Sequence, residues 1–407
     1  MVSTKAVILA LTCGLIVSAY AATWTVVDND YATIAMAVSF LGPTTGWVAG
    51  GSGSLQPLLL YTTDAGKTFN NSGIADSSTG AFLAISMANA NYGIAGSLGF
   101  FGLPCGAYTN DGKTWYKTHE GKDIFCAAQD TSATDGGNTM MIVGEWSDPT
   151  NFAGNGVQIS LDAGKTWNGH NWNQGTDARY AWFASKDQGY VAGGMWPATS
   201  SQGARKISSL LGARPSYPIS RHLHYDGRRM NVVRSEAPKA VGDVDVSGYQ
   251  AIIAYATNSA SQYNTVLNLT GQGVYFNQIS CVDINTCWAV AEGTNKTNGY
   301  DAAYVYFTNN GWKTFSTQLY VEGGSLAAIT MLNSTFGWAG GALVQSTSES
   351  PDAATYGQFW LTTDGKTWTL NQEIRNFYVF DISVIDGVNA YAAGVTNLGL
   401  SSLARFN

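Results

Sequence analysis

One short motif recurs along the whole chain and constrains its fold more than any other feature. The motif is a turn followed by an aromatic residue and small apolar residues. Its seven copies are GWVAGG (46–51), YGIAGS (92–97), MIVGE (141–145), GYVAGG (189–194), CWAVAEG (287–293), GWAGGA (337–342) and YAAGV (391–395). Apart from the step from 189 to 287, the spacing is roughly 45 to 55 residues, the length of one four-stranded propeller blade. Seven copies therefore predict seven blades.

An apolar segment precedes each copy, as expected for the innermost strand of a blade. The seven segments are TIAMAVSF, AFLAISMA, IFCAAQ, RYAWFAS, YFNQISCV, SLAAITML and FYVFDISV. Nearly continuous apolar runs of this length are typical of strands packed between neighbours. The 47 Gly and the low charged fraction of 12% suit short strands joined by many turns. These features predict an all-β fold and exclude a disordered chain.

A second repeat has the form Thr/Ser-x-Asp-x-Gly-x-Thr-aromatic and resembles the Asp-box, or BNR, repeat. It occurs as TTDAGKTF (62–69), TNDGKTW (109–115), SLDAGKTW (160–167) and TTDGKTW (362–368), with a degenerate copy TNNGWKTF (308–315). In such a hairpin turn Asp accepts backbone N–H groups and Gly permits a left-handed backbone. We therefore expect a structural role, not a catalytic one, for Asp64, Asp111, Asp162 and Asp364.

The two ends of the chain are predicted to pair. Residues 23–26 (TWTV) resemble the strand that follows an Asp-box turn, whereas the last motif copy lacks such a strand. The N-terminal strand would then complete the last blade, so that residues 22–407 form a single closed propeller.

Blade four departs from the pattern through an irregular insertion at about 197–248. It carries 8 of the 21 basic residues, together with His222 and His224. Long loops without secondary structure are usually functional or disordered. Three interpretations stay open: a lid for a ligand or partner, a disordered basic insertion, or an error in the gene model.

The N-terminus predicts export. Lys5 precedes an apolar run from Ala6 to Val17, and residues 19–21 (AYA) form a small-x-small cleavage pattern. We expect a signal peptide at 1–21 and a secreted mature chain without a membrane span, since the apolar run is too short for one. A retained anchor is the alternative.

The cysteines and sequons agree with an extracellular location. Four cysteines remain after cleavage, and three connectivities are open to them; Cys281 and Cys287 could face each other across a hairpin, which would leave Cys105 with Cys126. Sequons predict glycosylation at Asn70, Asn268, Asn295 and Asn333.

Several function classes find no support. A net charge of −7 disfavours a nucleic-acid partner. The chain has no CxxC and only four His, and it lacks the GxGxxG, Walker A, HExxH and GxSxG motifs. We therefore expect no metal and no cofactor, and a monomer is expected.

Candidate ligand contacts lie in loops predicted on the face opposite the Asp-box turns. Trp146, Trp172 and Trp196 are not explained by the repeats, and Asp177 and Arg179 lie nearby. Exposed rings there would suit a sugar or a peptide. The alternative is that these rings plug the loops against the blades.

The combined motifs, over nearly all of the mature chain, resemble the BNR-like seven-bladed propellers related to the photosystem II stability and assembly factor. The resemblance implies an exported, non-enzymatic scaffold that binds a protein or glycan partner. The alternative is a glycoside hydrolase or a sialidase-like enzyme. Arg179, Arg375 and Arg405 would be the sialidase arginines, and Glu145 with Glu292 the hydrolase carboxylates.

Overall fold

The computed structural model describes residues 22–27, 33–52, 56–74, 80–100, 106–118, 125–146, 154–195, 223–225, 230–232, 245–297, 299, 301–345, 354–396 and 401–407. It is a ring of seven four-stranded antiparallel blades, and this confirms the predicted all-β propeller. The predicted signal peptide and most of the basic insertion lie outside the described residues.

In six blades the strands run outward from the ring axis in chain order, and in the seventh the outer strand comes from the N-terminal part of the chain. The inner strands are Thr33–Phe40, Phe82–Met87, Phe125–Thr134, Ala178–Ser185, Val274–Cys281, Gly324–Met331 and Phe377–Val384. The second strands, which contain the recurrent motif, are Gly46–Ser52, Gly93–Phe100, Thr139–Trp146, Gln188–Met195, Cys287–Thr294, Gly337–Gln345 and Ala390–Thr396.

The outer half of each blade completes the sheet. The third strands are Pro57–Thr62, Gly106–Thr109, Gly154–Ser160, Gln250–Thr257, Asp301–Thr308, Ala354–Thr362 and Ser401–Phe406. The outer strands are Asn70–Asn71, Thr114–Lys117, Asn168–Asn171, Gln262–Asn268, Ser316–Glu322, Thr369–Arg375 and Trp24–Val27. Shorter elements are the strand Gly73–Ile74, the 3₁₀ turn Asp135–Gly137 and the paired strands Leu223–Tyr225 and Met230–Val232.

The chain termini close the ring, as predicted. The strand Trp24–Val27 pairs antiparallel with Ser401–Phe406, from Trp24 opposite Phe406 to Val27 opposite Leu403. The Trp24 ring is buried and stacks on Phe359 with ring centroids 4.2 Å apart. One blade therefore contains both ends of the chain, and its aromatic core holds them together.

The aromatic residue of the recurrent motif joins neighbouring blades. The indole Nε1 of Trp47 in blade 1 donates to the carbonyl of Gly112 in blade 2 at 2.7 Å. In the same way Nε1 of Trp288 in blade 5 donates to Gly365 of blade 6 at 3.3 Å. The small residues around these rings allow adjacent sheets to approach closely.

A register shift interrupts every inner strand where it pairs with the second strand. The shifts fall at 35/37, 82/84, 128/130, 178/180, 276/278, 326/328 and 379/381. Each is a β-bulge with one extra residue on the inner strand. Bulged residues of six blades border a cavity on the ring axis: Met36, Leu83, Arg179, Asn277, Ala327 and Phe380.

The described part of the insertion is small. Its strands Leu223–Tyr225 and Met230–Val232 pair only with each other among the described residues. Within the ranges given above, no helix has the length and apolar character needed to cross a membrane.

Candidate functional site

The five turns centred on Asp64, Asp111, Asp162, Asn310 and Asp364, called the Asp turns below, follow the third strands. In the first, Asp64 accepts hydrogen bonds from the Thr68 amide at 2.9 Å and the Thr68 hydroxyl at 2.6 Å. Ala65 and Gly66 both have positive φ. These bonds favour the ionised carboxylate and lower the pKa of Asp64 to about 2.

The other Asp turns have closely related bonding. Asp162 contacts Thr166 as Asp64 contacts Thr68, and Asp364 accepts from the amide of Thr367 at 2.7 Å. In blade 5, Asn310 replaces the aspartate and accepts from the amide of Thr314 at 3.0 Å. The side chains hold the turns that contain them, an arrangement that needs no chemistry at the carboxylate.

Trp172, one of the candidate ligand contacts, lies inside the protein. This residue is only 5% exposed and packs edge-on against Tyr263, with ring centroids 5.0 Å apart. Of the two alternatives stated for these rings, Trp172 follows the packed one, because its ring fills the core between blades 3 and 4. Trp146 ends the second strand of blade 3, but its side chain lies outside the described residues, as does all of Trp196.

Asp177 and Arg179 are also inside the molecule, not on its surface. Both are less than 5% exposed at the start of the inner strand of blade 4. The carbonyl of Asp177 accepts from the amide of Gly194 at 3.0 Å, and Nε of Arg179 donates to the carbonyl of Gly194. The guanidinium carbon of Arg179 lies 5.3 Å from the ring centroid of Tyr275.

Tyr275, Glu292, Ser325 and Tyr378 form a buried cluster, called the tyrosine–glutamate cluster below. The hydroxyls of Tyr275 and Ser325 donate to different carboxylate oxygens of Glu292, and the Ser325 and Tyr378 hydroxyls are 2.6 Å apart. Burial, followed by the charge of Glu292, raises the pKa of both tyrosines well above the usual value. Their phenols therefore stay protonated at neutral pH.

Val246, near the end of the basic insertion, and Tyr249, just after it, pack against this cluster. Tyr249 stacks on Tyr275 with ring centroids 6.5 Å apart, and its hydroxyl is 2.7 Å from that of Thr294. Val246 belongs to the same small apolar group. Sequence reasoning identified Glu292 as a candidate carboxylate but missed its tyrosine and serine partners, which come from three different inner strands.

An axial cavity of about 60 Å³ lies between the inner strands. All seven blades contribute to its wall, and its polar members are Asp130, Arg179, Tyr180, Asn277 and Asp381. A volume of this size holds a few water molecules, since one water needs roughly 10–15 Å³.

The two cavity carboxylates connect neighbouring blades. Asp381 of blade 7 accepts from the amide of Val38 in blade 1 at 2.9 Å, and Asp130 of blade 3 accepts from Ala181 in blade 4 at 2.7 Å. Gln278 of blade 5 occupies the same place after the bulge and accepts from the amide of Ile329 in blade 6. Sequence reasoning missed this series, although a polar residue within an apolar inner strand is a visible signal.

Desolvation dominates the titration of both carboxylates. Burial raises the pKa of Asp381 to about 7, against the opposing effect of amides that include Val38. Burial also raises the pKa of Asp130 well above its usual value, and the nearby charge of Asp381 adds to the rise. Gln278 links Tyr180 to Asp381. Its side-chain nitrogen Nε2 donates to the hydroxyl of Tyr180 and lies 3.3 Å from Oδ1 of Asp381.

The arginines proposed for a sialidase triad lie on separate parts of the ring. Arg179 is on an inner strand, Arg375 on the outer strand of blade 6 and Arg405 on the third strand of blade 7. Arg405 lies over the ring of Tyr391 at 5.7 Å. Because the three arginines lie in three blades and at different distances from the axis, they do not converge on one substrate carboxylate.

One of the disulfides considered from the sequence is present. Cys281 and Cys287 are opposite each other in the blade 5 hairpin, with Cα atoms 4.0 Å apart and an S–S bond of 2.06 Å. Cys105 and the side chain of Cys126 lie outside the described residues.

The four predicted glycosylation positions differ in exposure. Asn70, Asn268 and Asn333 are exposed, whereas Asn295 is half-buried and donates to the hydroxyl of Tyr320 at 2.9 Å. Glycosylation itself stays a prediction.

Comparison with protein-family models finds no match, and comparison with curated proteins finds none either. Solved structures do resemble the chain. YCF48 bound to a D1 peptide is 12% identical with a TM-score of 0.53, over 94% of this chain and 96% of that one. A polysaccharide lyase of family PL25, an ulvan lyase, is 10% identical with a TM-score of 0.51, over 93% and 95%.

A third structure is larger than this chain. The GH74 xyloglucanase from Xanthomonas campestris is 10% identical with a TM-score of 0.50, over 94% of this chain and 53% of the xyloglucanase. At these identities the similarity shows the propeller fold alone, because binding scaffolds and carbohydrate-active enzymes share it.

Proposed function

We propose that this chain is an exported, non-enzymatic propeller scaffold that binds a segment of a partner protein on the face opposite the Asp turns. The observation that carries the proposal is that the ionisable groups around the axis already make hydrogen bonds within the protein. Glu292 accepts from two hydroxyls, and Asp130 and Asp381 bond to backbone amides of the next blade. These contacts give each carboxylate a structural role.

The burial of the charged groups around the axis supports the same conclusion. Arg179 and Glu292 are each 3% exposed, and the neighbouring cavity has a volume of about 60 Å³. Glycoside hydrolysis needs two carboxylates that reach the substrate from either side of the scissile bond. A surface that binds a partner needs no such access.

One described aromatic residue suits a contact surface on the proposed face. Tyr320 lies near the end of the outer strand of blade 5 that is remote from the Asn310 turn and is 42% exposed. Its hydroxyl is held by Asn295 and lies 3.2 Å from Glu322. A tyrosine ring with a fixed hydroxyl gives a large contact area at a low entropy cost. The peptide in the YCF48 structure supports a protein segment as the partner class.

The test is a selection of peptides from a displayed library with the purified mature chain, beside a glycan array. Phe315 provides a matched control, because it is 43% exposed at the Asn310 turn end of the same outer strand. We expect enriched peptides whose affinity falls about tenfold or more with Tyr320→Ala, Trp146→Ala or Trp196→Ala, and is unchanged with Phe315→Ala.

Other outcomes contradict the proposal. Binding to glycans without any peptide enrichment would support the glycan alternative. Release of reducing ends or unsaturated products from a polysaccharide would support an enzyme. Loss of peptide binding with Phe315→Ala alone would place the contact surface on the wrong face.

A further inference from the structure

We propose that the axial cavity binds one hard cation of the calcium class, with Asp130, Asp381 and Oδ1 of Asn277 as its protein ligands. All three residues border the cavity and come from blades 3, 7 and 5. The described residues contain no group of three or more His, Cys, Asp or Glu suited to a metal. The proposed site differs from such a group because its third ligand is the amide oxygen of an asparagine.

Asn277 carries the strongest indication of a missing ligand. It is the bulged residue of the blade 5 inner strand, and it is only 4% exposed. Its Nδ2 donates to the carbonyl of Leu326 at 2.7 Å, which fixes the orientation of the amide because a carbonyl can only accept. The buried Oδ1 has no hydrogen-bond partner among the described residues.

An oxygen left in this state requires an explanation, since buried polar atoms are normally satisfied. The opposite end of the same amide is well bonded, so the residue is held with its oxygen free to contact an ion. Two carboxylates and the Arg179 guanidinium border the same cavity as this oxygen.

The carboxylates retain capacity for a cation. Asp381 accepts from Val38 and Ile382 at 2.9 Å and from Nε2 of Gln278 at 3.3 Å, and Asp130 accepts from Ala181 at 2.7 Å. An ionised carboxylate has about four lone-pair sites, so these bonds leave acceptor positions on both groups.

Arg179 also borders this cavity, and it contacts residues of blades 4 and 5. Its guanidinium lies over Tyr275, and its Nε donates to Gly194. Its position is thus set by the tyrosine–glutamate cluster.

The donor set selects the class of ion. All three ligands are oxygens, and carboxylate, carbonyl and water ligands suit calcium and magnesium, whereas zinc prefers nitrogen and sulfur. Calcium takes six to eight oxygens in flexible geometry, typically including waters. A cavity of about 60 Å³ has room for an ion with a few waters.

The experiment is a calorimetric titration of the full mature chain with CaCl₂ after removal of metal by EGTA, followed by MgCl₂ and ZnCl₂. We expect one saturable calcium site per chain and weaker binding of the other two ions. Asp130→Asn and Asp381→Asn should each weaken calcium binding by about tenfold or more. Asn277→Ala should weaken it as well, because it removes the Oδ1 ligand.

Asp386→Asn is the control, because this carboxylate lies in a turn of the same blade as Asp381 and bonds only locally, to Val388 and Asn389. Its substitution should leave the affinity unchanged. Absence of saturable calcium binding by the natural chain would overturn the proposal. So would an affinity that Asp381→Asn and Asn277→Ala leave unchanged, or one that falls equally with Asp386→Asn. If either Asp→Asn variant fails to fold, Asn277→Ala decides alone.

Discussion

Aspartate has opposite roles in the Asp turns and at the ring axis. Asp64 bonds to Thr68, four residues away, and its pKa is lowered to about 2. Asp381 bonds to Val38, 343 positions away, and its pKa is raised to about 7. In the turn, local N–H and O–H donors stabilise the charge in contact with solvent. At the axis the same residue type loses solvent and joins two blades.

The difference shows how the ring is held together. Adjacent blades share few backbone bonds. Among the described residues, 98–100 of blade 2 pair with 125–127 of blade 3, and Gly73–Ile74, which follows blade 1, pairs with the outer strand of blade 2. Side chains supply many of the other polar links. Besides the residues after the bulges, a series of serine hydroxyls accepts amides of the next blade at about 3 Å, namely Ser39, Ser86, Ser280 and Ser383.

The largest expected effect comes from removing an axial link. Asp381→Ala leaves the amide of Val38 without its acceptor and enlarges the cavity, so we expect the free energy of unfolding to fall by about 3 kcal/mol. Asp381→Asn keeps an oxygen at that place and should cost less than half as much. Urea denaturation at pH 7 measures both. Equal losses would show that the hydrogen bond to Val38 is not the stabilising feature.

A smaller effect is expected in an Asp turn. Asp162→Ala removes the acceptor for the Thr166 amide, which lies in a solvent-exposed turn, and should cost about 1 kcal/mol. Asp162→Asn should cost only a fraction of that, because Asn310 makes the equivalent bond to Thr314 in blade 5. The same denaturation experiment compares the two variants. If asparagine is as damaging as alanine, the turn depends on charge.

The smallest effect is an acid dependence confined to the turns. The folded pKa of Asp64 and Asp364 is about 2, below the usual value of 3.8, so ionisation stabilises the fold. This contribution is complete above pH 4 and disappears as the pH falls toward 2. We expect the melting temperature of an Asp64→Asn/Asp364→Asn variant to lie slightly below that of the natural chain at pH 5 to 7. The gap should close near pH 2, and a gap that widens in acid would contradict the assigned sign.

Much of the architecture could be predicted from the sequence because its signals are local and repeated. The aromatic–small motif fixed the second strands and the number of blades, and the chain around Trp24 revealed the closing strand. The bonding of the Asp turns follows from residues within a few positions of each other. Such short-range chemistry can be recognised wherever the same residues recur.

The candidate site was less predictable, because it depends on contacts between blades. The residues around Trp172 in the sequence do not distinguish a buried ring from an exposed one. Only packing against Tyr263 decides that Trp172 is buried. The sequence also gave no sign that Glu292 would meet Tyr275 and Ser325.

The sequence by itself determined the repeat, the strands, the turns and the closure of the ring, since each follows from a period or a local hydrogen-bonding pattern. Only the tertiary structure decided the β-bulges and therefore which side chains reach the axis. A bulge is a shift in pairing between two strands. After it, Asp130 and Asp381 border the cavity together with Asn277 and also bond to the next blade. The physical reason is burial: the axis removes solvent from groups that in a turn would remain hydrated.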